Sequence, residues 1–332
     1  MTTSPTDSPT VQTAERGDAG FLSTLLMPRP TPDTPPPLPS TGRAGRNLPA
    51  AVGVAALLIG VIVASLVWNK VLFVGVVVLA VAGALWEMAG ALARKGIRLP
   101  LAPLWLGTVG IAVCAWSLGV EAMLGAYLAT AGAAFLWCFL DQAEADAGTS
   151  LEGPGHDTPR TYAHDAVRRS RSVDASAAAL AATYLPFLAG FAVLLVAQDH
   201  GVGKVVLLIA LPVASDTGGW LAGITLGRHP MAPSVSPKKS WEGFVGSLVA
   251  GVAVGAAGVH VLGGPWWAGC VLGAVTVVIA TLGDLGESLL KRDLGLKDMG
   301  TLLPAHGGLM DRLDSILVAA PVIHLFCTLV LS

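Results

Sequence analysis

Residues Leu48 to Ala93 read LPAAVGVAALLIGVIVASLVWNKVLFVGVVVLAVAGALWEMAGALA, and across these 46 positions the charged side chains are Lys70 and Glu87 alone. A helix crosses a bilayer core with roughly 20 apolar residues. The stretch therefore holds two spans, broken at Asn69-Lys70. The pattern continues downstream. Apolar runs near 48–68, 71–93, 100–118, 121–140, 174–197, 203–227, 243–263, 266–290 and 312–331 predict nine transmembrane helices. Composition agrees: 53% of the 332 residues are apolar and 13% charged, with a mean hydropathy of +0.68. Soluble domains carry about 25% charged residues. The fold class expected is all-α, a polytopic integral membrane protein of about nine helices. The 40 glycines suit helices that pack closely in lipid, where small residues let backbones approach.

The basic residues test this count independently. With nine spans, the N-terminal segment shares one side with the loops 94–99, 141–173, 228–242 and 291–311. Together with Arg312 at the edge of the last span, that side holds 18 of the 20 Lys and Arg residues, leaving Lys70 and Lys204 for the other. Positive charge marks the cytoplasmic side, so the N-terminus is expected in the cytoplasm and the C-terminus outside. An eight- or ten-span count would scramble the partition. Residues 1–46 hold nine of the 22 prolines, with many Ser and Thr. They are expected to be a disordered cytoplasmic tail, unable to bury enough apolar surface to offset their ordering entropy. No cleavable leader is expected, because the first long apolar run begins only near Leu48. The remainder, 47–332, reads as one membrane-embedded domain. Cys114, Cys138, Cys270 and Cys327 stand singly in apolar runs and suggest neither a zinc site nor a redox pair.

Two stretches are too polar for ordinary connectors. Block 215–243 contains Ser215-Asp216-Thr217-Gly218-Gly219-Trp220, Arg228-His229 and Ser236-Pro237-Lys238-Lys239-Ser240-Trp241-Glu242-Gly243. Block 283–314 contains Gly283-Asp284-Leu285-Gly286-Glu287-Ser288, Lys291-Arg292, Lys297-Asp298, His306-Gly307-Gly308 and Asp311-Arg312-Leu313-Asp314. Asp216 and Asp284 fall inside apolar runs, where a charge costs about 2.5–3.5 kcal/mol or more without compensation. Asp284, Glu287, Ser288 and Lys291 share one helix face at i, i+3, i+4 and i+7, and Asp311, Asp314 and Ser315 repeat that spacing. Two acidic stripes suit a hard cation such as Mg²⁺, which also takes phosphate oxygens. Lys238, Lys239, Lys291, Arg292 and Lys297 lie on the same side, so an anion bridging metal and lysines is the economical reading, and polyphosphate is the natural candidate. Gly307-Gly308 would admit an anion to the backbone, with Ser236 as a hydroxyl donor. Plainer readings stand beside these. Topology alone places lysines in cytoplasmic loops, and the small face Gly219, Gly223, Gly227 reads as helix packing. Glu87 is a further intramembrane carboxylate near the cytoplasmic end of the second span.

Residues 288–314 read S-L-L-K-R-D-L-G-L-K-D-M-G-T-L-L-P-A-H-G-G-L-M-D-R-L-D. This resembles the signature of the bacterial phosphatidate cytidylyltransferases, S-x-x-K-R-x₄-K-D-x-G-x₂-L-P-x-H-G-G-x₂-D-R-x-D, with every specified position filled. The Asp216–Trp220 and Ser236–Gly243 segments are similar to that family's other block, although the family often has Asp-Ser-Gly-Ala-Tyr where this chain has Asp216 to Trp220. The resemblance implies condensation of CTP with phosphatidate to CDP-diacylglycerol and pyrophosphate in phospholipid biosynthesis. It implies Asp284 and Asp311 as metal ligands, with Lys291 and Arg292 beside them in the catalytic set. Asp216, Ser236, Lys238, Lys239, Lys297, His306, Gly307, Gly308 and Arg312 are the expected substrate contacts. The implied cofactor is Mg²⁺, with K⁺ as a second, monovalent ion. The expected partners are CTP, phosphatidate and membrane lipids, with no nucleic acid; a homodimer is compatible with the sequence, which leaves the oligomeric state open. The implied location is the inner membrane, with the active site facing the cytoplasm. Two other readings compete: a CTP-dependent transferase for another lipid phosphate, and a cation-coupled transporter carrying ions on Asp216 and Asp284. Against the transporter, no internal repeat is evident and all polar motifs fall on one side.

Overall fold

A computed structural model describes residues 48–149, 160–300, 302 and 307–331. The tail 1–46, expected to be disordered, and His306 lie outside the described residues. The helices are α1 (Leu48–Trp68), α2 (Lys70–Ala93), α3 (Leu101–Ser117), α4 (Val120–Thr149), α5 (Arg160–Ala182), α6 (Leu188–Ala197), α7 (Gly201–Leu226), α8 (Trp241–Val261), α9 (Trp266–Asp293) and α10 (Met310–Val330). A π-helical turn, Thr183–Phe187, joins α5 to α6, and a short antiparallel hairpin, β1 (Pro230–Ala232) and β2 (Ser236–Ser240), joins α7 to α8.

The chain is an all-α polytopic membrane protein. Among the described residues, seven helices are long and apolar enough to cross a membrane: Lys70–Ala93, Val120–Leu140, Arg171–Ala197, Gly201–Leu226, Trp241–Val261, Trp266–Asp293 and Met310–Val330. The other two expected spans correspond to shorter apolar helices, Ala56–Trp68 and Leu101–Ser117. By length and composition the described residues thus give seven of the nine expected spans, and the full count of nine is not confirmed. The polar segment 141–173, expected as a loop, is largely helical: α4 runs on to Thr149 and α5 begins at Arg160. Ala, Glu and Gln after Leu140 are good helix formers, so nothing stops α4 where its apolar run ends.

Local chemistry sets the boundaries. The Asn69 side chain accepts from the Val71 N–H at 2.9 Å and starts α2, and Ser240 accepts from Gly243 N–H at 3.1 Å to start α8. Pro186 lacks the N–H that a regular helix uses, and the chain accommodates it as a π turn.

Packing is closest through α7, α8 and α9, where glycines face each other. A Cβ on Gly218 of α7 would come within 2.6 Å of the Gly246 carbonyl of α8, and one on Gly255 within 3.0 Å of Gly273 of α9. Gly219 and Gly223 abut Gly243, so that small face is indeed helix packing. Ser247 adds an interhelical bond to the Ser215 carbonyl at 2.6 Å. Large apolar side chains such as Leu79, Leu128, Val249 and Leu325 point outward, as they do where lipid replaces water. At the far ends of α1 and α9, Trp68, Trp266 and Trp267 are exposed, in the manner of an interfacial aromatic belt.

Lys70 and Lys204, the two basic residues set apart by the charge partition, meet at one end of the bundle. Lys70 Nζ donates to the Gln198 carbonyl at 3.3 Å and Lys204 Nζ to Gln198 Oε1 at 2.8 Å. The hairpin and the end of α10 should lie on opposite faces of the membrane. On a cysteine-free background, single cysteines replacing Ser234 and Leu331 should react with an impermeant maleimide from opposite sides. Labelling of both from one side would remove a span from this topology.

Candidate active site

Where α7 and α9 end and α8 and α10 begin, both polar blocks converge. A cavity of about 170 Å³ is lined there by Ser215, Asp216 and Trp220 from α7, Lys238 and Lys239 from β2, and Asp284 from α9. The hairpin carries the lysines over the cavity because Ser240, its last residue, is also the cap of α8. Lys239 forms an ion pair with Asp284. Asp216 is exposed to the cavity, and Lys238 is exposed beside it.

Deeper in the bundle, Asp284, Glu287 and Asp314 each place one carboxylate oxygen within 4.8 Å of the others. The helical repeat puts Asp284 and Glu287 on one face of α9, and the first turns of α10 bring Asp314 against them. The Glu287 side chain is fully buried, and neither of its oxygens has a hydrogen-bond partner among the described residues. Lys291 Nζ stands 3.5 Å from Glu287 Oε1, long for a hydrogen bond. Three carboxylates this close, one without donors, need a cation or a shared proton to offset their repulsion and desolvation. The donor set is all oxygen and fits a hard cation.

Asp311 stands outside that triad. Its Oδ1 accepts from Lys291 Nζ at 2.9 Å, and its Oδ2 accepts the N–H of Gly308 at 2.8 Å and of Met299 at 3.1 Å. Lys291 therefore lies between Glu287 and Asp311 and ties the two acidic stripes together. Gly307 has φ +83°, a conformation that disfavours any side chain. A Cβ on Gly308 would fall 2.7 Å from Asp311 Oδ2 and 2.9 Å from Glu87 Oε2. These two glycines thus serve the approach of carboxylates to the backbone.

The second of those carboxylates comes from far away in the sequence. Glu87 of α2 is 3% exposed, and it accepts the N–H of Leu302 at 3.1 Å and of Met310 at 3.0 Å. It clasps the segment leading into α10 from the opposite half of the chain. Its signal in the sequence was a single acid in an otherwise apolar run, which gave no partner.

The remaining expected contacts are distributed around this centre. Arg292 Nε donates to the Val235 carbonyl at 3.4 Å and so braces the hairpin turn. Ser236 opens β2 in register with Ala232. Lys297 is exposed beyond the end of α9, and Arg312 is exposed on the first turn of α10. Another hairpin contact, absent from the expected set, is Glu242, which receives His229 Nδ1 at 2.6 Å and the Arg228 N–H at 3.1 Å.

These features define a membrane-embedded helical protein with carboxylates and lysines gathered at one end of its bundle. The chain belongs to the cytidylyltransferase family, which matches residues 49–330. It is 40% identical over 291 residues to the phosphatidate cytidylyltransferase of Mycobacterium leprae, covering 87% of this chain and 90% of that one. The enzyme of that name from Mycobacterium tuberculosis is 38% identical over 295 residues, 88% of this chain and 86% of the relative. The Haemophilus influenzae phosphatidate cytidylyltransferase is 36% identical over 160 residues, 45% of this chain and 56% of its own.

Proposed function

We propose that this protein joins CTP to phosphatidate, forming CDP-diacylglycerol and pyrophosphate. The observation that carries the reading is the junction of the two polar blocks: Lys239 paired with Asp284, and Lys291 held between Glu287 and Asp311, beside a cavity. Alternating carboxylates and ammonium groups suit two polyanions and a cation better than they suit any single charge.

In the step itself, a phosphatidate oxygen forms a bond to the α-phosphorus of CTP while the bond from that phosphorus to the bridging β-oxygen breaks. Pyrophosphate leaves with the electron pair. The lipid phosphate is already anionic, so no strong general base is required. Lys238, Lys239, Lys291 and Arg292 offset the repulsion of the two anions and orient them, with Asp216, Ser236, Lys297, His306, Gly307, Gly308 and Arg312 as further contacts. Asp284 and Asp311 are the proposed metal ligands, and the triad geometry adds Glu287 and Asp314 as candidates. A bound Mg²⁺, accompanied by K⁺, would screen the phosphate charge and polarise the phosphorus centre. The cavity end of the bundle is assigned to the cytoplasmic side of the inner membrane, where CTP is supplied.

Purified protein in detergent, given labelled CTP and phosphatidate, should form CDP-diacylglycerol with Mg²⁺ and stop when the ion is chelated. Absence of product with phosphatidate, but turnover with another lipid phosphate, would reassign the acceptor.

A further inference from the structure

The hairpin that carries Lys238 and Lys239 is too small to hold its own place. Its strands are three and five residues long, with a register shift between Pro230 and Ala232. Pro230 and Pro237 bring no N–H to the ladder. A lone two-stranded hairpin is marginal at best, so the two lysines must be fixed in space by contacts outside the ladder. At the turn, Arg292 supplies one brace through the Val235 carbonyl at 3.4 Å. The stronger brace is at the open end, where the chain leaves α7 and returns into α8.

Glu242, in the first turn of α8, closes that end. Its Oε2 accepts the N–H of Arg228 at 3.1 Å and of His229 at 3.2 Å, and its Oε1 accepts from His229 Nδ1 at 2.6 Å. The Trp241 N–H donates to the His229 carbonyl at 3.0 Å and completes the closure. One carboxylate at the start of the helix after β2 thus holds the two residues that precede β1. Glu242 follows Lys239 by only three positions. Ser240 and Gly243, close on either side of it, line the cavity with Lys238 and Lys239, while its own oxygens are committed to Arg228 and His229.

We propose that Glu242 is a positioning residue for the reaction: by clamping the base of the hairpin it sets where Lys238 and Lys239 meet the anionic substrates. The assignment rests on the phosphoryl-transfer reading above. What the clamp requires is the reach of the side chain and its acceptors, not its charge. A glutamine carbonyl can take both backbone N–H groups, and its amide nitrogen can donate to His229 Nδ1 once the ring proton sits on Nε2. An aspartate keeps the charge but is one methylene short of the same groups.

Three variants of the full chain, purified in detergent, test this. Glu242→Ala should lower kcat/KM on the order of 10-fold, and Glu242→Asp should fall with it. Glu242→Gln should return to within about threefold of the parent. Hydrogen exchange should quicken at the Arg228 and His229 amides in the Ala and Asp variants and stay slow in the Gln variant. The shift in thermal midpoint produced by CTP with Mg²⁺ should shrink in the same two variants. The midpoint without substrate should stay near the parent's in all three, because the clamp holds a hairpin rather than the packed helices. Glu121→Ala, which removes an exposed acid from the first turn of α4, is the control and should keep turnover within about twofold. Parent-like kcat/KM in Glu242→Ala would overturn the proposal. An active Glu242→Asp beside an inactive Glu242→Gln would also overturn it, by making the charge the working element. So would a lost midpoint that accounts for the lost turnover, which would leave Glu242 a structural role alone. If the parent itself makes no CDP-diacylglycerol, the reaction assignment fails, while amide exchange and the CTP-induced shift still judge the clamp.

Discussion

Asp284→Asn should cut turnover at least about 10²-fold, the scale of losing one strong electrostatic contact in a reaction site. The amide keeps the shape and one acceptor but removes the negative charge that faces Lys239 and the other two acids of the triad. Stability should hold or rise, because one of three crowded carboxylates is neutralised. Asp311→Asn should lose activity to a similar degree with a different signature. Asp311 pairs with Lys291 and accepts two backbone N–H groups, from Met299 and Gly308, so its neutralisation weakens charge-assisted bonds as well. Its thermal midpoint should fall. Raising Mg²⁺ should recover part of the Asp284→Asn activity if that carboxylate holds the ion. Turnover measured across a Mg²⁺ series, with Lys70→Gln at the far end of the bundle as a near-silent control, separates the cases. Near-parental synthesis by Asp284→Asn at limiting Mg²⁺ would remove it from the metal site and leave Glu287 and Asp314.

Glu87→Ala should be the second severe substitution, although Glu87 lies in α2, far along the chain from both polar blocks. It would strand the N–H groups of Leu302 and Met310, each now bonded to a buried carboxylate. A buried donor left without a partner costs about 1–3 kcal/mol. The entry to α10, which carries Asp311 and Asp314, would lose its clasp. Activity should fall by one to two orders of magnitude, on the scale of those lost bonds, with the thermal midpoint falling alongside it. Glu87→Gln, which retains one acceptor, should lie between. Hydrogen exchange offers the direct check: the amides of Leu302 and Met310 should exchange faster in Glu87→Ala while those within α7 and α8 stay protected. Unchanged exchange at both amides would show that the clasp contributes nothing to the loop.

How much of this was legible beforehand follows from where each constraint acts. A spanning segment must satisfy its backbone internally, so each long apolar run specifies its own helix from composition alone. The runs from Lys70 to Ala93 and from Trp266 to Asp293 needed no neighbour to be recognised. Charges stranded in such runs mark a candidate site for the same reason: lipid gives them no compensation. Spacing along one helix placed Asp284, Glu287 and Lys291 on a common face, because 3.6 residues per turn is a local rule.

The partners across helices were another matter. That Lys291 reaches Asp311 at 2.9 Å, that Asp314 rather than Asp311 completes the triad, and that Glu87 binds amides more than 200 positions away depend on which helices touch and at what rotation. Such contacts arise from the fit of small residues, as where Gly218 meets Gly246, and from departures such as the π turn at Pro186. Neither has a period that a single sequence displays. The sequence by itself determined the helices, the membrane and the two polar blocks, because these follow from the solvation of each segment. The tertiary structure alone decided which acids cluster and which clasp the loop, because the geometry between helices is set by packing at ångström scale.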